Sequence, residues 1–134
     1  MREFVFVALL GLLVGGTADA AYAQGTQDSG AAFVVDKELA KQGKSLWTSK
    51  MCSGCHTIGK GRSAGPDVAH ILDRREVDWV KKWLRDPEAM IASDPDAQMM
   101  LKEYNNLKMP NMKLTDAQID QLLHYMMEAS PRRK

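Results

Sequence analysis

The chain has 134 residues, and its 18 basic and 17 acidic side chains leave a formal net charge of only +1 at pH 7. This near balance gives no indication of nucleic-acid binding, which requires a basic surface. The length suits one small domain. The function must therefore be inferred from local motifs rather than from overall charge.

The N-terminus has the pattern of a secretory signal peptide. Arg2 precedes a run of eleven mostly apolar residues from Phe4 to Val14, and small residues follow up to Ala23. The run is too short to span a bilayer, which takes about 20 apolar residues. We predict cleavage after Ala23, with Ala20 as an alternative site. The mature protein is then expected outside the cytoplasm, without stable membrane insertion.

Composition divides the chain into four predicted segments. Residues 1–23 form the signal peptide, 24–35 a flexible leader of small and polar residues, 36–130 the folded domain and 131–134 a basic tail. Removal of the signal peptide leaves 111 residues. A domain of this size buries only about two-thirds of its unfolded surface. A cofactor in the core would supply apolar contact that so small a chain lacks.

The folded domain shows helical periodicity and no convincing alternating strand. The first predicted helix runs from an N-cap at Asp36 to Lys50. Its apolar face consists of Leu39, Gly43, Leu46, Trp47 and Met51. Glycine in a helix interior costs about 1 kcal/mol relative to alanine. We therefore expect Gly43 to allow the close approach of another helix.

Proline and glycine residues separate the predicted elements in the middle of the chain. A loop is predicted at residues 57–67, which hold three glycines and one proline. A second helix is predicted at 75–85, ending before Pro87, which cannot continue it. A third begins with Asp94 as N-cap and Pro95 in the first turn. Its inward residues are expected to be Ala97, Met100, Leu101 and Tyr104.

The last helix has the clearest sequence signal. Thr115 and Gln118 have the spacing of a capping box. The apolar residues that follow at helical spacing are Ile119, Leu122, Leu123, Met126 and Met127. We therefore predict an all-α fold of helices wrapped around a cofactor.

The motif Cys52-Ser53-Gly54-Cys55-His56 indicates what this cofactor is. Residues three apart share one face of a helical turn, so both thiols can reach the two vinyl groups of one porphyrin. His56 follows directly and can turn an imidazole nitrogen to the iron of the same ring. The motif thus predicts covalent haem attachment together with one iron ligand.

Three alternatives use the same residues. A disulfide between Cys52 and Cys55 would close a loop too short to constrain the unfolded chain much. A thioredoxin-like dithiol needs a preceding strand, and none is predicted. A structural zinc site needs four ligands, and the available His56, His70 and His124 are not at zinc-finger spacing. Haem attachment is the favoured interpretation.

With these elements in place, the chain resembles the class I, His/Met-ligated monohaem cytochromes c over residues 36–128. The resemblance rests on Gly43-x-x-x-Trp47, the haem motif, Gly65-Pro66-Asp67-Val68 and Lys108-Met109-Pro110. It implies a cytochrome c fold of four to five helices around one haem c, joined to Cys52 and Cys55. In such folds the first and last helices cross, so Gly43 and Trp47 would meet Leu122 and Tyr125.

The resemblance also implies roles for individual residues around the iron. His56 and Met109 would be the axial ligands, with Met112 as the rival for the sixth position. The carbonyl of Pro66 would accept the second ring N–H of His56 and orient it. Trp83 would donate its indole N–H to a haem propionate, or else be a plain core tryptophan. Asn111 is a weaker suggestion for a hydrogen bond near the Met109 sulfur.

The function that the resemblance implies is electron transfer rather than catalysis. Two filled axial positions leave no site for oxygen or substrate, so we expect a one-electron carrier. Together with the signal peptide, this predicts a soluble periplasmic protein, and we expect it to be a monomer. Its donor would be a redox protein such as a quinol-oxidising complex, and its acceptor a terminal oxidase or a nitrogen-oxide reductase. Basic residues that lie near the motif in sequence suggest docking to acidic patches: Lys37, Lys41, Lys44, Lys50, Lys60 and Arg62.

Two other function classes remain open at this point. One is a haem enzyme or gas sensor with a labile or vacant sixth position, against which Met109-Pro110 argues. The other is a haem-free thiol oxidoreductase that uses Cys52 and Cys55. A third option, a structural subunit of a larger complex that carries haem, differs from the carrier only in whether the protein is found free.

Overall fold

The computed structural model describes residues 32–132. The predicted signal peptide, residues 24–31 of the predicted leader and residues 133–134 of the tail lie outside this range. The helices are α1 Lys37–Ser49, α2 Val77–Arg85, α3 Pro87–Ser93, α4 Pro95–Glu103 and α5 Asp116–Glu128. Within the described range there is no strand, and one isolated parallel bridge joins Thr57 to Asp67. The predicted all-α fold is confirmed.

Side-chain caps begin the helices at the predicted places. Asp36 Oδ1 accepts the N–H groups of two first-turn residues of α1, at 2.8 and 2.9 Å. Asp94 caps α4 in the same way at 2.9 Å, with Pro95 at the first helical position. Thr115 and Gln118 form the reciprocal capping box of α5. These caps satisfy N–H groups that a helix leaves without internal partners.

The middle helices correct the prediction. The second helix begins at Val77 rather than at residue 75, and Pro87 begins a further helix, α3, that was not predicted. Proline disfavours helical backbone at the residue before it, so Asp86 leaves the helical region and α2 ends. Proline nevertheless suits the first position of a helix, and Asp86 then caps α3 through Ala89 N at 3.1 Å.

The prediction that Met51 lies on the apolar face of the first helix is also wrong. It lies beyond the end of α1, has left-handed backbone with φ 56°, and is 75% exposed. The left-handed residue turns the chain out of α1 into the short 3₁₀ turn Cys52–Gly54. The haem motif therefore begins at a change of direction and not on the apolar face of the helix.

The main helix pairing is between α1 and α5. The buried side chains of the core are Trp47, Val68, Val80, Leu84, Leu114, Ile119, Leu122, Leu123 and Met126. A Cβ atom added to Gly43 would lie 2.0 Å from Gln121 O and 2.8 Å from Tyr125 Cβ. The rings of Trp47 and Tyr125 are 5.8 Å apart. The predicted close crossing at Gly43 is confirmed, and its nearest atoms belong to Gln121 and Tyr125.

The segment before α1 also contacts α5. The ring of Phe33 lies 4.8 Å from that of His124, and the backbone N–H of Asp36 donates to His124 Nδ1 at 3.0 Å. His124 is not one of the apolar residues that define the predicted face of the last helix, and periodicity did not indicate this contact. Among residues 32–132, no helix is long and apolar enough to cross a membrane.

We predict that Gly43→Ala destabilises the fold. At an exposed helix site this change would stabilise by about 1 kcal/mol. Here the added methyl group would meet a backbone carbonyl that cannot move independently. Overpacking of this kind costs roughly 1–3 kcal/mol, so the free energy of unfolding should fall, as denaturant titration can measure. Lys41→Ala on the exposed side of α1 is the control, and a stability of Gly43→Ala equal to wild type would contradict the prediction.

Candidate functional site

The two cysteines lie at the 3₁₀ turn that follows α1. Cys52 is partly buried and Cys55 is exposed, and no disulfide joins them. The backbone N–H of His56 donates to Cys52 O at 2.9 Å, which folds the motif onto itself. Burial raises the pKa of the Cys52 thiol. A raised pKa disfavours the thiolate that dithiol chemistry requires, which argues against the thiol oxidoreductase.

The imidazole ring of His56 is held in place by a hydrogen bond to the backbone. Its Nδ1 lies 2.9 Å from the carbonyl oxygen of Pro66. Because a carbonyl only accepts, Nδ1 carries the proton and Nε2 keeps a free lone pair. Gly65 packs against the same ring, since a Cβ there would lie 2.7 Å from His56 Cε1. The arrangement presents Nε2 as a metal ligand.

Asp67 holds the loop that carries Gly65 and Pro66. Its carboxylate accepts the backbone N–H groups of Gly59 at 2.8 Å and Gly61 at 2.6 Å, and Ala69 N–H adds a third bond at 2.8 Å. Desolvation opposes ionisation, but these bonds outweigh it and lower the pKa of Asp67 to about 2. Sequence analysis gave this aspartate only as part of the family motif.

An apolar cavity of about 210 Å³ lies beside His56. It is lined by Cys55, His56, Ala64, Gly65, Pro66, Trp83, Ile91, Met100, Leu101, Tyr104, Leu107, Lys108, Met109 and Pro110. Three of the inward residues predicted for the third helix are among them, namely Met100, Leu101 and Tyr104. Residues 53 positions apart, His56 and Met109, therefore border the same space.

Met109 differs from its rival Met112 in its surroundings. Met109 lines the cavity, and its sulfur accepts the indole N–H of Trp83 at 3.2 Å. Both methionines pack against the hydrophobic core, but Met112 is not among the residues that line the cavity, and its carbonyl accepts Lys50 Nζ at 3.2 Å. Met109 is therefore better placed than Met112 to contact a group bound in the cavity.

Trp83 belongs to an aromatic pair that sequence analysis missed. Its ring is stacked on Trp79 with centroids 5.6 Å apart and an interplanar angle of 7°. The i, i+4 spacing of the two tryptophans on α2 was the available signal. The donor at the Met109 sulfur is Trp83 and not Asn111, whose side-chain oxygen accepts Lys113 N–H at 3.0 Å. A propionate contact of Trp83 stays a prediction.

Two of the basic residues near the motif have structural partners. Besides the contact of Lys50 with Met112, Arg62 lies over the ring of Tyr104 at 4.3 Å and pairs with Glu103 at 3.6 Å. Both members of the Arg62–Glu103 pair are about half exposed, so the pair adds little stability. It does join the loop after the motif to the end of α4, beside the cavity.

The residues present fit a covalently attached haem. Two cysteine thiols could attach to the porphyrin, and an imidazole nitrogen and a methionine sulfur could bind its iron, which is the chemistry of haem c. Gly65 keeps clear the space that the ring of His56 occupies. The remaining lining is largely aliphatic and aromatic, which suits a porphyrin face.

We predict that Gly65→Ala alters the histidine and not the global fold. The new methyl group would contact the imidazole ring, which can rotate, whereas at Gly43 it would meet backbone. The hydrogen bond from His56 to Pro66 should be lost while the free energy of unfolding changes little. Imidazole ¹⁵N chemical shifts report the bond. Gly54→Ala, which enters open space, is the control, and an unchanged Nδ1 signal in Gly65→Ala would refute the prediction.

We predict an acid-dependent contribution of Asp67 to stability. Its pKa is lowered from 3.8 to about 2, so its ionised form stabilises the fold above pH 4. This contribution is lost as the pH falls from about 4 to 2, because the unfolded carboxyl group protonates first. The stability difference between wild type and Asp67→Asn should therefore shrink over that range in acid titrations followed by circular dichroism. Asp78→Asn on the exposed side of α2 is the control, and a pH-independent difference for Asp67→Asn would contradict the assignment.

Comparison with known proteins agrees with this geometry. The family model described as cytochrome c matches residues 40–130. Among curated proteins, cytochrome c oxidase subunit 2 of Bacillus subtilis is 27% identical over 69% of this chain, which spans only 27% of that relative's length.

Solved structures of cytochromes c are also similar to this chain. Cytochrome c from Rhodothermus marinus is 25% identical with a TM-score of 0.67, and the match covers 75% of this chain and 85% of that one. A cytochrome c domain from Pseudomonas putida is 35% identical with a TM-score of 0.55, over 63% of this chain and 83% of that one. Since the family match covers most of the chain, the protein belongs to the cytochrome c family, as a class I monohaem member with haem c attached covalently through Cys52 and Cys55.

Proposed function

We propose that this cytochrome c is a soluble, periplasmic one-electron carrier with His56 and Met109 as the axial ligands of its haem. The observation that carries the proposal is that His56 and Met109 line the same apolar cavity. An imidazole and a thioether in the two axial positions leave no position for a substrate. The protein therefore transfers electrons and does not catalyse a reaction of its own.

The surroundings of the ligands support reversible electron transfer. Bound haem supplies the change between Fe(II) and Fe(III). A thioether ligand and an apolar lining both favour the less charged ferrous state, which raises the reduction potential relative to a bis-histidine site. Met109 and the lining residues Ile91 and Leu101 supply part of this apolar surface. They would act on the potential of a bound haem without taking part in chemistry.

Rigid ligand support favours a small structural change between the two oxidation states. Pro66 and Gly65 hold the ring of His56 on one side, and Trp83 holds the Met109 sulfur on the other. Each support depends on a folded element, the loop anchored by Asp67 in one case and α2 in the other. Both ligands are thus positioned before an electron arrives.

The location and the partners follow from separate observations. The signal-peptide pattern at residues 1–23 supports export to the periplasm. The similarity to an oxidase subunit supports a terminal oxidase as the electron acceptor, with a quinol-oxidising complex as donor. A nitrogen-oxide reductase is the alternative acceptor, and the carrier is proposed to act as a monomer. Exposed Lys108, which lines the cavity, suits transient contact with acidic partners.

We predict that Met109→Ala opens the sixth position, whereas Met112→Ala leaves it closed. The full-length chain is expressed with the covalent haem-attachment machinery and purified from the periplasmic fraction. Wild type and Met112→Ala should show the weak red-end absorption band of a ferric sulfur–iron bond, and Met109→Ala should lack it. Reduced Met109→Ala should bind carbon monoxide readily, and its potential should be lower.

Three outcomes would contradict the proposal. A wild type without the red-end band, or one that binds carbon monoxide at ordinary rates, would favour a haem enzyme or sensor. Loss of the band in Met112→Ala alone would identify Met112, and not Met109, as the sixth ligand. Haem-bearing protein that remains in the cytoplasmic fraction would overturn the proposed location.

A further inference from the structure

The side chain that touches the proposed sixth ligand is Trp83. Its indole N–H donates to Met109 Sδ at 3.2 Å, well within the distance expected for a hydrogen bond to sulfur. A thioether sulfur has two lone pairs, and coordination to a metal uses one of them. The second can therefore accept this hydrogen bond while the first binds iron. Both side chains are partly buried, which strengthens the contact.

The indole of Trp83 is held in place by a second tryptophan. Trp79 stacks on Trp83 almost in parallel, at 7°. The indole N–H of Trp79 donates to Asp94 Oδ2 at 3.0 Å, while Asp94 Oδ1 caps α4 through Ala97 N. The guanidinium of Arg75 covers the Trp79 ring at 4.9 Å.

Asp94 is suited to this role because it stays ionised. The hydrogen bond from the N–H of Ala97, together with that from the Trp79 indole, lowers the pKa of Asp94 despite some desolvation. One carboxylate therefore begins α4 and fixes the outer tryptophan. A continuous series of contacts runs from Asp94 through Trp79 and Trp83 to the sulfur of Met109.

We propose that Trp83 is a positioning residue that sets the reduction potential through the Met109 sulfur, with the stacked ring of Trp79 holding its indole in place. The inference rests on the proposed His56/Met109 ligation. A hydrogen bond to the sulfur withdraws electron density from the iron ligand. Ferric iron depends on that density more than ferrous iron does, so the bond favours the reduced state. This role differs from the propionate contact that the family resemblance implies for Trp83.

The test compares Trp83→Phe with Trp79→Phe in the haem-loaded protein. Both changes remove an indole and keep an aromatic ring, but only Trp83→Phe removes the donor at the sulfur. We expect Trp83→Phe to lower the equilibrium constant for reduction by about three- to tenfold, as for loss of one hydrogen bond. Tenfold corresponds to about 59 mV for a one-electron couple. The red-end ferric band should shift in Trp83→Phe and change little in Trp79→Phe.

Each contrary result has a distinct meaning. An unchanged band and potential in Trp83→Phe would overturn the role of Trp83 and leave the His56/Met109 ligation intact. An unchanged band together with an altered pH dependence of the potential would assign the N–H to a propionate instead. Equal shifts in both variants would assign the effect to the stacked pair rather than to the hydrogen bond. Absence of the band in wild type would instead refute the proposed ligation.

A measurement on the unmodified protein keeps the proposal testable if Trp83→Phe does not fold. In the diamagnetic ferrous state, the indole proton of Trp83 should show a nuclear Overhauser effect to the ε-methyl group of Met109. The indole proton of Trp79, which points to Asp94, should show none and is the internal control. A missing contact for Trp83 would overturn the proposal.

Discussion

The close crossing of α1 and α5 is the constraint on which the rest of the structure depends. Gly43 lets the backbone of α5 approach until a single added carbon would lie 2.0 Å from a carbonyl oxygen. The crossing buries Trp47 between the helices and the core, and Trp47 in turn lies 6.4 Å from the ring of His56. The haem motif leaves α1 directly after this point. The geometry of the helix pair therefore determines where the cysteines and the histidine begin.

The proposed iron ligands are supported by two different parts of the chain. On the His56 side, one carboxylate organises a loop of little regular structure, and the loop supplies a carbonyl group and a glycine to the imidazole. On the Met109 side, the support comes from α2, through Trp83, and from the cap of α4. The loop is held by hydrogen bonds to the Asp67 carboxylate, whereas on the helical side the Asp94 carboxylate adds to the stacking of the two tryptophans. Each support therefore includes one carboxylate.

The helix caps and the haem motif could be predicted because they are local. Asp36, Asp94 and Thr115 each act on residues two or three positions away, so spacing alone identified them. The errors were local as well. Pro87 was taken as a terminator although proline also begins helices, and Met51 was assigned to a face that ends two residues earlier. In both cases periodicity could not show where the backbone changes direction.

The sequence by itself determined the cofactor, the helical class and the cap-defined starts of three helices, because each depends on residues within one turn. Only the tertiary structure decided what surrounds the proposed ligands. The contact of Trp83 with Met109 joins residues 26 apart, and that of His124 with Asp36 joins residues 88 apart. Such contacts depend on how whole helices pack, and periodicity within one helix carries no information about its partner's side chains.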